Sequence, residues 1–590
     1  MTPPAEARRL TGPNRFSPSP GATLDVTWQG EALPTDAQLD ALAERWRGEV
    51  RAALAAPGWP PPEFGERRGG ADGACVLSLF ASAPVDALDL AVEVAEQAWA
   101  AAADAAGSIP PAPPAPAPRV ARLLDGADAH ALPTTWDDDA VSIGAGRGSR
   151  TWPADALPDP DAVDWTALGG APIALVTGSN GKTTTTRLVA AILRAAGHTV
   201  GSSSTDGVRV QGPDGADAEV LEEGDWAGPG GARLVLRHPR VTAAVLETAR
   251  GGILRRGLAV RRATAAAVTN IAADHFGDYG IFDLQALAEA KLVVARALVA
   301  TGGPLVLHAG DATLRDWAAG HPDTPPLIWV ASDPADLAAS AWVAAHVARG
   351  GRAAAVADGA AGAALRWHDG AAWHHIVRLA ELTVADGGAV AHNVANAAVA
   401  LALGIALGAP PAAAGDALRH FGRGPDDNPG RLERLRVGDV TALVDYAHNP
   451  AGLTALLDAA RAIPAARRIL VLGQAGDRDD GALADLARAA WTHGTVSRVQ
   501  LKDIPAMHRG RAPGEVPAVL RRALAAVGAP DDAVAAEVAA TEGDAVRRAL
   551  AWARPGDLLL LPLHVDRAEL VTWLRSVDAA GWRAGAPLPP

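Results

Sequence analysis

The sequence predicts an α/β protein in which two parallel-sheet domains follow a small α+β region, and three observations carry that expectation. From residue 171 onward, apolar runs of five to seven residues alternate with helical stretches, the pattern of strands covered by helices on both faces. A turn-rich passage, DDNPG at 426–430, interrupts this alternation, which resumes from Leu432 to the end. A chain of 590 residues also exceeds what one hydrophobic core organises, so domains of roughly 100–200 residues each are expected.

Taken in order, residues 1–107 read as an N-terminal α+β domain, with a strand at 23–28 and helices at 36–55 and 85–106. The run IPPAPPAPAP at 109–118 is stiff and packs as neither helix nor strand. With the Asp, Gly and Pro clusters after it, 108–170 reads as a linker and irregular segment. A central domain spans 171–428, with strands at 173–177, 243–247, 265–269 and 305–308. A C-terminal domain spans 429–590, with strands at 442–445, 469–473 and 558–561.

Composition narrows the function. With 49% hydrophobic and 20% charged residues the chain reads as globular, and no apolar run approaches the roughly 20 residues that cross a bilayer. The N-terminal arginines have no apolar stretch behind them, as a secretory signal requires, so a cytoplasmic location is expected. A formal charge of −14 opposes nucleic-acid binding. One cysteine, Cys75, rules out an internal disulfide or a zinc ribbon, leaving oxygen or imidazole to hold any metal. Only three of 53 basic residues are lysines, Lys182, Lys291 and Lys502. Where lysine persists in so arginine-rich a chain, a compact point charge that can lose its proton is a candidate for chemistry.

The strongest motif is TGSNGKTT at 177–184, between a strand and a helix that stops at Gly197. Backbone N–H groups of Gly178, Ser179, Asn180 and Gly181 and the helix start at Thr183 and Thr184 suit phosphate oxygens; Lys182 reaches the terminal phosphates, and Thr183 suits Mg²⁺. The strict phosphate-loop pattern is not met, because Val176 stands where its first glycine belongs. Glu247 ends a strand, so its carboxylate emerges at the carboxyl edge of the sheet, where ligands bind in open α/β folds. Lys291 shares an apolar helical stripe with Leu284, Leu287, Ala295 and Leu298 on a helix expected over 283–300. Desolvation there favours the neutral amine that reacts with CO₂, although a lysine that snorkels to solvent fits the same stripe.

TGSNGKTT resembles the phosphate loop of the Mur ligase family, and seven further runs extend the resemblance over about 171–590: SSTDG at 203–207, LETARGGILRRGL at 246–258, VTNIAADHFG at 268–277, HNVANA at 392–397, PGRLE at 429–433, DYAHNPAGL at 445–453 and GDRDD at 476–480. These runs look closest to the Mur-like part of cyanophycin synthetases, and RRLTGPNRF at 8–16 resembles the opening of those enzymes. Their ATP-grasp module has no counterpart between about 107 and the Mur-like region. The resemblance implies a central ATP-binding domain, a C-terminal Rossmann-like domain, and ATP-dependent formation of an amide bond through an acyl-phosphate, with ADP released. No enzyme nucleophile is needed for such chemistry.

The same resemblance implies Mg²⁺ held by Thr183, Glu247, His275 and a carbamate on Lys291, with Lys182, Glu247, His275 and Lys291 forming the catalytic set. It places Asn270, His392, Asn393 and Asn396 near the nucleotide base, Arg431 near the phosphates and Asp445 on the ribose; for Asn393 a helix N-cap is the alternative, and the two roles are compatible. It assigns His448, Asn449, Asp477, Arg478 and Lys502 to the incoming amino acid. If that amino acid is arginine, joined to an acidic peptide, aspartates such as Asp477, Asp479 and Asp480 are needed to read its guanidinium; a solvated, helix-capping loop explains them equally well. The implied partners are an amino acid and a carboxylate, with a separate partner ligase as a further candidate, and neither nucleic acid nor membrane. Rival readings are a folylpolyglutamate or peptidoglycan-precursor type ligase, a non-catalytic nucleotide-binding subunit, and a simple ATPase or kinase.

Overall fold

The computed structural model describes residues 3–589 apart from Glu31, Asp72, 105–107, Ala216, His275, 360–361 and Pro425. The chain divides into two compact units, one of residues 1–271, 276–382 and 394–420, the other of residues 272–275, 383–393 and 421–590. No helix among the described residues is long and apolar enough to cross a membrane.

The first unit opens with an antiparallel sheet in the order Ala5–Leu10, Gly21–Gln29, Ala74–Ser82, Phe64–Ala71. The helices Asp36–Ala53 and Leu88–Asp104 pack with it around Leu24, Trp46, Leu77, Leu79 and Trp99. Thr35 and Gln38 close a reciprocal capping box at the start of the first helix, which satisfies two donors that the first turn leaves without helical partners. The segment expected to be irregular corrects the sequence reading. It forms the helix Arg119–Ala129 and a three-stranded sheet, Thr134–Trp136, Ala140–Ile143 and Arg150–Pro153, around Leu123, Leu124, Val141 and Ile143. Strands of three or four residues are too short for their alternation to stand out among Asp, Gly and Pro.

The main sheet has eleven strands among the described residues. Its parallel core runs Val200–Ser204, Ala243–Glu247, Ile173–Thr177, Ala265–Val268, Leu305–His308, Leu327–Ala331, Arg352–Ala357. Antiparallel strands extend both edges: Gly207–Gln211 and Glu219–Glu222 on one side, Ala364–His368 and Trp373–Arg378 on the other. The strand Ile173–Thr177 is buried along its whole length, and the chain leaves it for strands on either side, the topological switch at which open α/β sheets bind ligands. The helix that follows, Lys182–Ala195, buries Leu188, Val189, Ile192 and Leu193, at about 2 kcal/mol for each large aliphatic side chain. The helix expected over 283–300 is shorter: an α-helix Leu284–Lys291 passes into a tighter 3₁₀ stretch, Leu292–Leu298, since apolar spacing of three and four suits both windings. Leu287, Ala295 and Leu298 are buried as expected, whereas Leu284 is 40% exposed at the helix start.

The second unit holds a five-stranded sheet in the order Glu433–Val437, Val440–Asp445, Leu558–Pro562, Arg468–Leu472, Arg498–Leu501. Its first pair is antiparallel and the others are parallel. Helices cover both faces, giving two apolar clusters, one around Leu457, Leu470 and Leu520 and the other around Val444, Leu559 and Leu574.

Candidate functional site

In the first unit the loop 177–181 bends tightly between its strand and its helix. Gly178 takes φ +144°, and a Cβ there would lie 1.9 Å from Thr269 Oγ1; Gly181 takes φ +81°, and a Cβ there would lie 2.1 Å from Asn396 Oδ1. Only glycine meets both the left-handed backbone and the close approach. Gly181 is the N-cap of Lys182–Ala195 and supplies no side-chain cap, so the positive end of that helix faces the loop. Lys182 Nζ donates to the Ser179 carbonyl at 3.0 Å.

Neighbouring strand ends hold the loop. Asn270 grips Asn180 from both sides, its Oδ1 accepting from the Asn180 N–H at 3.0 Å and its Nδ2 donating to the Asn180 carbonyl at 3.0 Å. Thr269 Oγ1 donates to the same carbonyl at 2.6 Å. The Asn270 carboxamide, expected near a nucleotide base, is thus engaged by the loop itself. Asn396 packs against Gly181 and accepts from Thr185 Oγ1 at 3.4 Å. Lys291, 3% exposed, donates from Nζ to the Gly178 carbonyl at 3.0 Å, so the expected burial places it against the loop.

Glu247, 1% exposed, accepts from Thr183 Oγ1 at 2.9 Å, from Thr205 Oγ1 at 2.9 Å and from the Thr205 N–H at 3.3 Å. Thr205 belongs to the SSTDG run but received no role from the sequence; only pairing of Val200–Ser204 with Ala243–Glu247 brings it to this carboxylate. Two threonine hydroxyls and one carboxylate at a phosphate loop are hard oxygen donors. They fit Mg²⁺, which favours one or two carboxylates together with phosphate oxygens over an all-protein cage. No group of three or more His, Cys, Asp or Glu side chains suited to a metal occurs among the described residues. His275, expected as a metal ligand, lies outside the described residues.

In the second unit Asn393 lies in the first turn of Ala391–Ala406, where its Nδ2 donates to the Val384 carbonyl at 2.8 Å, so it is not the N-cap. His392 precedes it on the same turn. Asp445 ends its strand and accepts from the Leu432 N–H at 2.8 Å. The Arg431 guanidinium lies 4.4 Å from the centre of the Tyr446 ring, and that of Arg567 lies 5.4 Å from it. Asp274 stands 3.6 Å from Arg478 and 3.7 Å from His448.

Three expected amino-acid contacts have other work here. Asn449 caps the helix Pro450–Ala462, its Oδ1 accepting from Gly452 N–H at 2.8 Å. Asp477 pairs with Arg509 at 2.5 Å, while Asp479 caps Asp480–Thr492 and Asp480 pairs with Arg511 at 2.9 Å. Arg511 also donates to the carbonyls of Gly476 and Arg478, at 3.1 and 2.6 Å, and so fixes the loop between them. Lys502 is wholly buried, its ammonium donating to Glu542 and to the Pro562 carbonyl. Burial pushes this lysine down and Glu542 opposes the shift. Burial works against the Glu542 charge, yet Lys502 and His564 hold the carboxyl well below the usual carboxylate range. Glu542 also accepts from the N–H groups of His564, Val565 and Asp566. Burial first, and Lys502 second, push His564 down to about 4. None of these partners was visible beside Lys502 in the sequence, since they lie 40 to 62 residues away.

Known proteins resemble the chain over these same segments. The Mur ligase middle domain matches residues 176–404, and the Mur ligase glutamate ligase domain matches 430–562. The cyanophycin synthetase of Trichormus variabilis is 34% identical over 410 residues, covering 69% of this chain and 43% of that protein. The chain thus spans less than half the length of that relative. The UDP-N-acetylmuramoyl-L-alanyl-D-glutamate–2,6-diaminopimelate ligase of Corynebacterium efficiens is 29% identical over 401 residues, covering 65% of this chain and 67% of that one. Among solved structures, E. coli FolC in complex with DHPP and ADP is 20% identical with a TM-score of 0.45, covering 69% of this chain and 89% of that one.

Proposed function

Because the chain belongs to the Mur ligase family, the ATP-dependent acid–amino-acid ligases, we propose that it joins the amine of an amino acid to a carboxylate through an acyl-phosphate, releasing ADP. The observation that carries the proposal is Glu247 bonded to Thr183 at the start of the helix that opens from the loop holding Lys182. The N–H groups at the start of the helix Lys182–Ala195 meet the phosphates and Lys182 reaches the one transferred, so charge developing on its oxygens meets fixed positive groups. Mg²⁺, held by Thr183 and Glu247, supplies further charge neutralisation there. Glu247 and Thr205 keep the Thr183 hydroxyl aimed, and Asn270 keeps the loop from relaxing.

Lys291, buried beside Gly178, is proposed to carry a carbamate that extends this oxygen set. Lys291→Ala should lower turnover by roughly 10–100-fold, the cost usual for losing a group that tunes a metal. Added short carboxylic acids should restore part of it; a loss that formate and acetate leave untouched removes the carbamate.

For the substrates we propose arginine or a similar amino acid, added to an acidic peptide that is already formed or supplied by a partner ligase. Similarity to cyanophycin synthetase supports this reading. The deciding experiment measures ADP formation against a panel of amino acids and acidic peptides. ADP release that depends on both an amine and a carboxylate supports a ligase; release without an amine marks an ATPase or kinase, and none at all marks a binding subunit.

A further inference from the structure

The N-terminal sheet lies in the same compact unit as the phosphate loop, and two of the segments it touches are short ones that follow Glu247 in the chain. One is the helix Arg250–Arg256, which begins three residues after Glu247. Thr11 N–H donates to the Arg256 carbonyl at 2.7 Å, Leu258 N–H donates to the Pro13 carbonyl at 2.8 Å, and Arg8 Nε donates to the Leu254 carbonyl at 3.0 Å. The other is the turn Asp278–Gly280, in which Tyr279 takes φ +54°, a conformation that an aromatic residue keeps only when its surroundings impose it.

Those surroundings come from the N-terminal sheet. Arg15, 7% exposed, donates to the Tyr279 carbonyl at 2.9 Å; Arg8 stacks on the Tyr279 ring at 4.6 Å; and a Cβ on Gly69 would lie 2.1 Å from the Gly280 carbonyl oxygen. Arg8 touches both segments, and Arg250 ties them together through Asp278 at 2.8 Å. Arg15 is held there at a cost. Its Nε has no hydrogen-bond partner among the described residues, and burial together with nearby Arg67 pushes the guanidinium down to about 10. A guanidinium so placed is expensive unless it fixes something.

We propose that the N-terminal sheet braces the Glu247 end of the phosphate site, with Arg8 and Arg15 as positioning residues that set the helix Arg250–Arg256 and the turn Asp278–Gly280. For the use of the braced site the inference rests on the ligase reading. The brace itself depends on these contacts alone, and the experiment separates the two.

The full chain, as wild type and as Arg15→Ala, Arg15→Lys and Gly69→Ala, is titrated with ADP in the presence of Mg²⁺ and then of a chelator, and amide exchange is followed in parallel. Arg15→Ala and Gly69→Ala should lose roughly tenfold of the Mg²⁺-dependent tightening, as supporting residues around metal sites do. ADP affinity in chelator should stay within about twofold, and Arg15→Lys, which keeps a donor for Tyr279, should recover most of the loss. Exchange should rise across 250–256 and 277–282 while 173–177 stays protected. Unchanged Mg²⁺ dependence in both variants, or faster exchange confined to residues 5–82, overturns the brace. If the wild type binds no ADP, the ligase reading fails, and exchange at 277–282 alone decides the brace. Should Arg15→Ala not fold, Gly69→Ala decides the question by the same two readouts.

Discussion

The lysines of the two units show how differently the same residue is used. Lys182 and Lys291 in the first unit direct their Nζ atoms to carbonyls of one glycine-rich loop, Ser179 and Gly178. Lys502 in the second unit follows a parallel strand too, yet meets a carboxylate and no solvent. A carbonyl partner leaves Lys182 a positive charge that a phosphate can use; Glu542 cancels the charge of Lys502. Persistence of lysine in an arginine-rich chain therefore marks a position where a compact charge matters, without saying whether that charge serves a ligand or the core.

The sharpest way to break this contrast is to exchange the effects. Lys182→Ala should lower ADP release at least a thousandfold, because a charge aimed at the transferred phosphate is removed, and should leave the melting temperature nearly unchanged. Turnover within tenfold of wild type would place Lys182 with Lys502. Conversely, Lys502→Met should cost about 3–5 kcal/mol in calorimetric unfolding, since Glu542 is left as an uncompensated buried charge; a variant as stable as wild type would return Lys502 to the substrate-binding set.

Acid should separate the units next. His564 is held near 4, below its ordinary value of about 6.5, so the unfolded chain takes up a proton that the folded one refuses. Its stabilising contribution is complete above about 6.5 and is lost as pH falls towards 4, at most on the order of 3 kcal/mol. Glu542, held low by Lys502 and His564, adds a further loss only below the usual carboxylate range. Unfolding followed against pH should show the loss, and His564→Gln should flatten it; an unchanged slope would mean that His564 is not the group responsible. The smallest effect belongs to Asn449→Ala, about 1 kcal/mol for a lost N-cap, with KM for the amino acid unaltered. A KM raised tenfold would show that Asn449 reads the substrate as well.

What the sequence made legible is what lies contiguous along it. The phosphate loop could be read because strand, glycines, lysine and helix are contiguous, and Glu247 because it closes an apolar run. Thr205, the Asn270 clamp and the Lys502–Glu542–His564 group depend on strand order, which spacing along a chain does not encode. Arg352–Ala357, RAAAVA, is hidden in the sequence for a different reason: alanine-rich strands lack the β-branched and aromatic residues that mark a strand. The small sheet of 134–153 is hidden because its strands are only three or four residues long.

Wide sheets invite self-association, since an outermost strand presents unpaired backbone groups to any neighbour. Here one outermost strand carries Glu219 and Glu222, and the other carries His374, His375 and Arg378. Ionic or imidazole side chains along such borders make docking by a foreign strand unfavourable. A chain with so much alanine in its interior strands thereby gains protection against aggregation at the two margins where it would otherwise be vulnerable.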